Sequence, residues 1–218
     1  MPSLSDAPRS LRDVDVVIIA GGEGSRLGGI SKPELEVGGM SLLDRTLAAV
    51  DAARAMVIVG GPRRDGVAWT VEEPPGGGPA AAVAAGIDWL AVGGTGSSVY
   101  PGPSKQTPSH PALWTLVLAV DTPLAAHAIG PLVRVAAGDG AWMVDSEGRE
   151  QPLLAIYRTE SLAVRTGGTQ EGKSMRSLVK GLAMIRVADV QGHSRDVDTW
   201  EDAHFFEERG LGEEHRNG

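Results

Sequence analysis

Residues 18–39, IIAGGEGSRLGGISKPELEVGG, constrain this chain more than any other stretch. The aliphatic run at 16–19 predicts a β-strand, and it empties directly into a glycine-rich loop carrying two basic residues, Arg26 and Lys32. Gly21, Gly22, Gly24, Gly28 and Gly29 have no Cβ, so backbone N–H groups can crowd around an anion there. Arg26 and Lys32 supply the positive charge that a polyphosphate needs. A strand ending in such a loop, with Ile19 and Ala20 at its mouth, is suited to hold a nucleoside triphosphate.

Two other glycine-rich loops are excluded by their own requirements. A Walker-type loop ends in Gly-Lys-Ser/Thr, which is absent here. A dinucleotide fingerprint needs G-x-G-x-x-G, but Gly22 and Gly24 are followed by Leu27, with glycine only at 28. It also needs an acidic residue closing the second strand, whereas the strand expected at 56–59 ends in Gly60 and Gly61.

Strands alternate with helical segments along the chain, which predicts an α/β fold with a mainly parallel sheet covered on both faces. Ser41 is a candidate N-cap with Asp44 three residues on, and Leu43, Leu47 and Val50 share a face. Pro79 suits the first turn of a helix over 80–90, and the apolar run 116–120 suits a central buried strand. A hairpin is expected about the Asp-Ser-Glu-Gly turn at 145–148, and Thr199 with Asp202 opens a last helix. One domain is expected over 1–210, with a flexible loop at 93–112, rich in Gly, Ser and Pro, and a disordered tail at 211–218. The formal charge of −8 argues against a broad nucleic-acid surface. No apolar run is long enough to span a membrane, and the first dozen residues do not form a signal sequence, so a cytoplasmic location is expected. The absence of cysteine excludes a disulfide or thiolate chemistry, and the five histidines have no metal-ligand spacing.

Asp121 closes the strand at 116–120. In a parallel sheet, ligands gather outside the carboxyl ends of the strands, so Asp121 and the glycine loop should face one crevice. A carboxylate there can hold Mg²⁺ on nucleotide phosphates or cap a helix.

The pattern A-G-G-x-G-x-R-x-G-G-x-x-K-P, over Ala20 to Pro33, resembles the nucleotidyltransferase family that includes molybdenum cofactor guanylyltransferase. Pro33 is similar to the Lys-Pro form of sugar-nucleotide pyrophosphorylases. The resemblance implies a three-layer, Rossmann-like α/β/α nucleotidyltransferase fold and transfer of GMP from GTP to molybdopterin. It assigns Lys32, Arg26 and Asp121 to catalysis. It also implies that Asp121 and, within DVDTWED, Asp198 hold one or two Mg²⁺; Trp200 stands where the family usually has proline. The segment VEEPPGGGPAAAVAAG resembles the family's Gly-Pro-Leu-Ala-Gly stretch beside base and ribose. This brings Gly78 to the nucleotide and leaves either Glu72 or Glu73 to meet the base. A carboxylate can accept hydrogen bonds from the N1 and N2 edge of guanine, which cytosine lacks. Gly60 falls where relatives contact the base with a polar side chain, so that contact is missing or comes from backbone. Gln151-Pro152-Leu153 resembles the segment behind the acceptor site, and Arg176, in a helix capped by Ser174, is available to an acceptor phosphate. The alternatives are the same chemistry on another base or acceptor (a molybdopterin cytidylyltransferase, or an enzyme acting on a sugar phosphate or phosphorylated alcohol), and a non-catalytic nucleotide-binding accessory protein.

Overall fold

The computed structural model describes residues 7–21, 31–93 and 110–208. Most of the loop expected at 93–112, and the tail at 211–218, fall outside them. Nine strands and six α-helices occur among the described residues. β1 (Val14–Ile19) lies centrally in a seven-stranded sheet, with β4 (Ala55–Val59) and β5 (Ala68–Thr70) on one side and β6 (Trp114–Ala119) on the other. Beyond β6 come β8 (Glu150–Arg158), β7 (Gly140–Val144) and the edge strand β9 (Met184–Ala188). All neighbours are parallel except β8, which runs antiparallel to both β6 and β7.

Every residue of β1 is buried, as expected of a parallel strand covered on both faces. Alternate side chains therefore feed two cores. Val14, Val16 and Ile18 pack with Leu43 of α1 (Leu42–Ala49) and with Ala128, Ile129 and Leu132 of α3 (Ala125–Val135). Val17 and Ile19 pack instead with Val83, Ile87 and Leu90 of α2 (Pro79–Ala91), Leu162 of α4 (Thr159–Thr166), and Met175 of α5 (Met175–Leu178). The result is the three-layer α/β/α arrangement the sequence implied. Each fully buried aliphatic side chain contributes about 1.5–3 kcal/mol.

A third, smaller core stands apart from the sheet. Leu35, Val37 of β2 (Glu36–Val37) and Leu42 pack against Val197 and against Ala203 and Phe206 of α6 (Trp200–Glu208). β2 pairs with β3 (Met40–Ser41) as a short antiparallel ribbon. This cluster joins the chain just after Lys32 to the segment carrying Asp196 and Asp198, more than 160 residues later in sequence.

The local stop and start signals act as the sequence suggested. Ser41 caps α1, accepting from the Asp44 N–H at 3.1 Å. Its hydroxyl donates to the Asp44 carboxylate at 2.6 Å. Thr199 and Asp202 form a reciprocal box at the start of α6, with Asp202 N–H to Thr199 Oγ1 at 3.2 Å and Thr199 N–H to Asp202 Oδ2 at 3.0 Å. Pro79 occupies the first turn of α2. Among the described residues no helix is long and apolar enough to cross a membrane.

Candidate functional site

The carboxyl ends of β1, β4 and β6 meet at one edge of the sheet. Past its last paired residue β1 continues as Ala20 and Gly21, whose N–H groups both donate to Val59 O, at 2.9 and 3.2 Å. Val120 N–H donates to Ile19 O at 3.2 Å, so the segment leading to Asp121 stays registered with β1. Gly60, with φ +70°, comes so close to this edge that a Cβ on it would lie 2.8 Å from Gly21 Cα. That contact accounts for glycine at position 60, which is not among the residues lining the cavity described next. Trp69 Nε1 donates to the Gly60 carbonyl at 3.1 Å.

In front of these strand ends lies a cavity of about 290 Å³. Ile19, Ala20, Gly21, Lys32, Glu72, Gly78 and Asp121 all line it. Gly76, Pro79, Ala82, Ala119, Val120 and Leu153 complete the wall, and none of these six was singled out as a nucleotide contact from the sequence. Gly22, Gly24 and Arg26 lie outside the described residues. Of the two glutamates, Glu72 is buried and faces this cavity, while Glu73 is exposed. Glu72 Oε1 accepts the Gly76 N–H at 3.0 Å, and its Oε2 is buried with no hydrogen-bond partner among the described residues. A second cavity of about 620 Å³ lies between α2 and residues 166–171; Glu73 lines it, and Glu72 borders both.

Lys32 begins a 3-10 turn, Lys32–Glu34, with Pro33 in its first turn. Its ammonium hydrogen-bonds Asp198 Oδ1 and lies 3.6 Å from Asp121 Oδ2. Asp198 reaches Asp121 because Val197 N–H donates to Asp121 O at 2.8 Å, which lays the 197–198 segment alongside the end of β6. The Asp202 carboxylate fixes the far side by accepting the Asp198 N–H at 3.2 Å. Asp196 joins the group: Asp121, Asp196 and Asp198 each offer an oxygen, all within 4.8 Å of one another. Three hard oxygen donors at that spacing fit a divalent cation such as Mg²⁺. The Lys32 ammonium already engages two of the three, so a cation is accommodated at this place.

Mutual electrostatics hold the group together. Partial burial works against the charge on Lys32. The hydrogen bond to Asp198 and the charges of Asp121, Asp198 and Asp196 outweigh it and lift the ammonium above its ordinary pKa. Lys32 is therefore a cation throughout the neutral range. Burial pushes the Asp121 carboxyl upward; Lys32 opposes this, and the like charges of Asp196 and Asp198 reinforce it.

The acceptor-like segment is explained mainly by its packing. The hydroxyl of Tyr157 is buried and donates to Pro152 O at 2.8 Å within the same strand, β8. Gln151 Nε2 donates to Asp145 Oδ2 at 3.0 Å across the hairpin. Ser174 caps α5, accepting the Ser177 N–H at 3.2 Å, and leaves Arg176 exposed. The neighbouring loop reaches the segment before α2, where Gly172 N–H donates to Gly77 O at 2.9 Å.

Residues 16–187 match the model of a family described as the MobA-like NTP transferase domain. No curated protein matches the sequence. Among solved structures, molybdopterin-guanine dinucleotide biosynthesis protein A from Archaeoglobus fulgidus is similar over 89% of this chain and 97% of its own, with a TM-score of 0.61 and 17% identity. Rv0371c from Mycobacterium tuberculosis is similar over 89% and 98%, with a TM-score of 0.66 and 18% identity. 2-C-methyl-D-erythritol 4-phosphate cytidylyltransferase from Thermus thermophilus covers 88% and 96%, with a TM-score of 0.53 and 19% identity. At such identities the likeness to these three is one of fold.

Proposed function

The chain belongs to the MobA-like NTP transferase family and is a nucleotidyltransferase, and from that premise we propose that it moves GMP from GTP to the phosphate of molybdopterin, releasing pyrophosphate. The observation that carries the reading is the meeting of Lys32 with Asp121 and Asp198 beside a cavity at the carboxyl ends of β1 and β6.

In this reading the triphosphate lies along the Gly21 edge with Lys32 on its oxygens. Arg26, with Gly22 and Gly24, belongs to the same loop. Glu72 takes the base. Its carboxylate can only accept while ionised, and one oxygen has no partner among the described residues, which suits the N–H edge of guanine. Asp121 and Asp198 hold Mg²⁺, which when bound offsets phosphate charge. The acceptor phosphate is already ionised, so its oxygen attacks the α-phosphorus without a dedicated base. A new P–O bond forms there as the bond to the β-phosphate oxygen breaks, and pyrophosphate leaves. The protein's part is alignment and charge neutralisation. The reaction is assigned to the cytoplasm.

One finding favours a second reading with the same chemistry: a cytidylyltransferase acting on a phosphorylated alcohol shares the fold. The test is pyrophosphate release with Mg²⁺, offering GTP, CTP, ATP and UTP separately with molybdopterin. Release with GTP alone, and only with molybdopterin, supports the guanylyltransferase reading. Release with CTP keeps the mechanism and changes the base. Release only with another phosphorylated acceptor replaces molybdopterin.

A further inference from the structure

Asp196 has no part in the reaction as described above, yet it stands with the two carboxylates that do. It is exposed, whereas Asp121 and Asp198 are half-buried. Its charge is felt by the Lys32 ammonium and by the Asp121 carboxyl. The neighbouring Arg149 is engaged with Asp145 at 3.0 Å and Glu147 at 3.1 Å. Three carboxylates therefore share one lysine, and their formal charge with Lys32 included is −2, from three negative charges and one positive.

Lys32 has two sets of partners to serve. Its ammonium is bound to Asp198 and close to Asp121, the groups a cation would need. A lysine so engaged is not free to meet a triphosphate. We propose that Asp196 completes a three-carboxylate cation site with Asp121 and Asp198, and that Lys32 is the built-in competitor for this site, leaving the carboxylates for the phosphates when a divalent cation takes its place. The inference rests on the nucleotidyltransferase reading for the phosphate half of this exchange. The cation half rests on the geometry alone. It implies an order, in which cation binding precedes and prepares the lysine for nucleotide.

The idea gives a sign that a simple phosphate-binding lysine would not. Removing a competing cation strengthens binding of another to the same oxygens. Mn²⁺ binding to the nucleotide-free full chain is followed by isothermal titration and by loss of the free-ion spin-resonance signal, at one pH and ionic strength. Lys32→Met is expected to tighten Mn²⁺ binding by about tenfold. Asp196→Asn, on an exposed side chain, is expected to weaken it by about 10–100-fold, in the range seen when support for a metal site is lost. Circular dichroism checks that both variants fold. Unchanged or weaker binding in Lys32→Met overturns the exchange, and unchanged binding in Asp196→Asn removes Asp196 from the site. Absence of saturable Mn²⁺ binding in the unaltered protein at millimolar metal overturns both. Pyrophosphate release is scored separately. Turnover in the unaltered protein, together with unchanged Mn²⁺ affinity in Lys32→Met, defeats this inference and leaves the transferase reading standing. Tightened Mn²⁺ binding without release on any nucleotide and acceptor pair does the reverse.

Discussion

Replacing Gly86 by alanine sets two well-known effects against each other. Gly86 lies in the middle of α2, where alanine is favoured over glycine by about 1 kcal/mol. Propensity alone therefore forecasts stabilisation. Packing forecasts the opposite. A Cβ at this position would lie 2.5 Å from Val17 Cγ1, 3.0 Å from Val17 Cγ2 and 3.2 Å from Val59 Cγ2. Val17 and Val59 are fully buried in adjacent strands, and their branched side chains have little freedom to rotate away. Overpacking of this kind costs about 1–3 kcal/mol, and three contacts this short belong to the upper half of that range. After the propensity gain, the net loss is about 1–2 kcal/mol, or about 3–6 °C in Tm for a chain of this size. Gly167→Ala serves as the control, because its φ of −59° suits alanine and an added Cβ meets only Val164 O, at 3.6 Å. That variant should gain about 0.4–1 kcal/mol through the unfolded state. Urea and thermal unfolding followed by circular dichroism measure both. Because α2 also brings Pro79 and Ala82 to the cavity, Gly86→Ala should raise the KM for nucleotide as well. A Gly86→Ala protein as stable as the parent would refute the close approach of α2 to β1.

Asp121→Asn should keep the fold and lower turnover by about two to three orders of magnitude, the usual cost of losing one preorganised charge; near-normal kcat would remove Asp121 from the site. Glu72→Gln keeps the acceptor for Gly76 N–H but adds a donor, so on the proposed guanylyltransferase reading the ratio of kcat/KM for GTP to that for other nucleotides should fall by about tenfold or more. Asp189 gives the pH test. Its burial works to raise the carboxyl, but hydrogen bonds from Ser194 and from His193 N–H outweigh this and hold it below its ordinary value. That stabilisation is complete above the unfolded pKa of about 4 and is lost as pH falls through the lower folded value. Asp189→Asn should therefore unfold at lower urea than the parent at pH 6, with the gap narrowing toward pH 3; a gap independent of pH would contradict the assignment.

Where each signal was local, the sequence was readable. The aliphatic runs of β1 and β6, the Ser41 and Thr199 caps and the proline opening α2 each act within a few residues, and the structure uses them as expected. Edge strand β9 was not legible: its side chains are mostly exposed and include Arg186, so no apolar run or clean alternation marks it. Nor was α3, which carries Gly130 and Pro131 inside the helix and reads as a turn. At the site, sequence alone could not choose between Glu72 and Glu73, because adjacent identical residues differ only in which way the backbone turns them; burial and the Gly76 contact distinguish them. Gly60 suggested a question about base recognition, but the close approach of Gly21 gives its absent side chain a packing cause. Asp196 was visible in DVDTWED but carried no separate signal. Its proximity to Asp121 depends on a pairing across 76 residues, Val197 N–H to Asp121 O, that no local pattern encodes.

The small core beneath Lys32 and Asp198 has a consequence for how the enzyme ages in use. Leu35, Val37, Leu42, Val197, Ala203 and Phe206 hold the lysine turn against the acidic segment, while Asp121 is anchored to the sheet. Regions of a protein open with their own free energies, and a patch of six side chains opens more readily than a seven-stranded sheet. The enzyme thus has two clocks, one for its scaffold and a faster one for its charges. Gentle heating should silence turnover while the sheet still gives its full spectroscopic signal, and cooling should restore it.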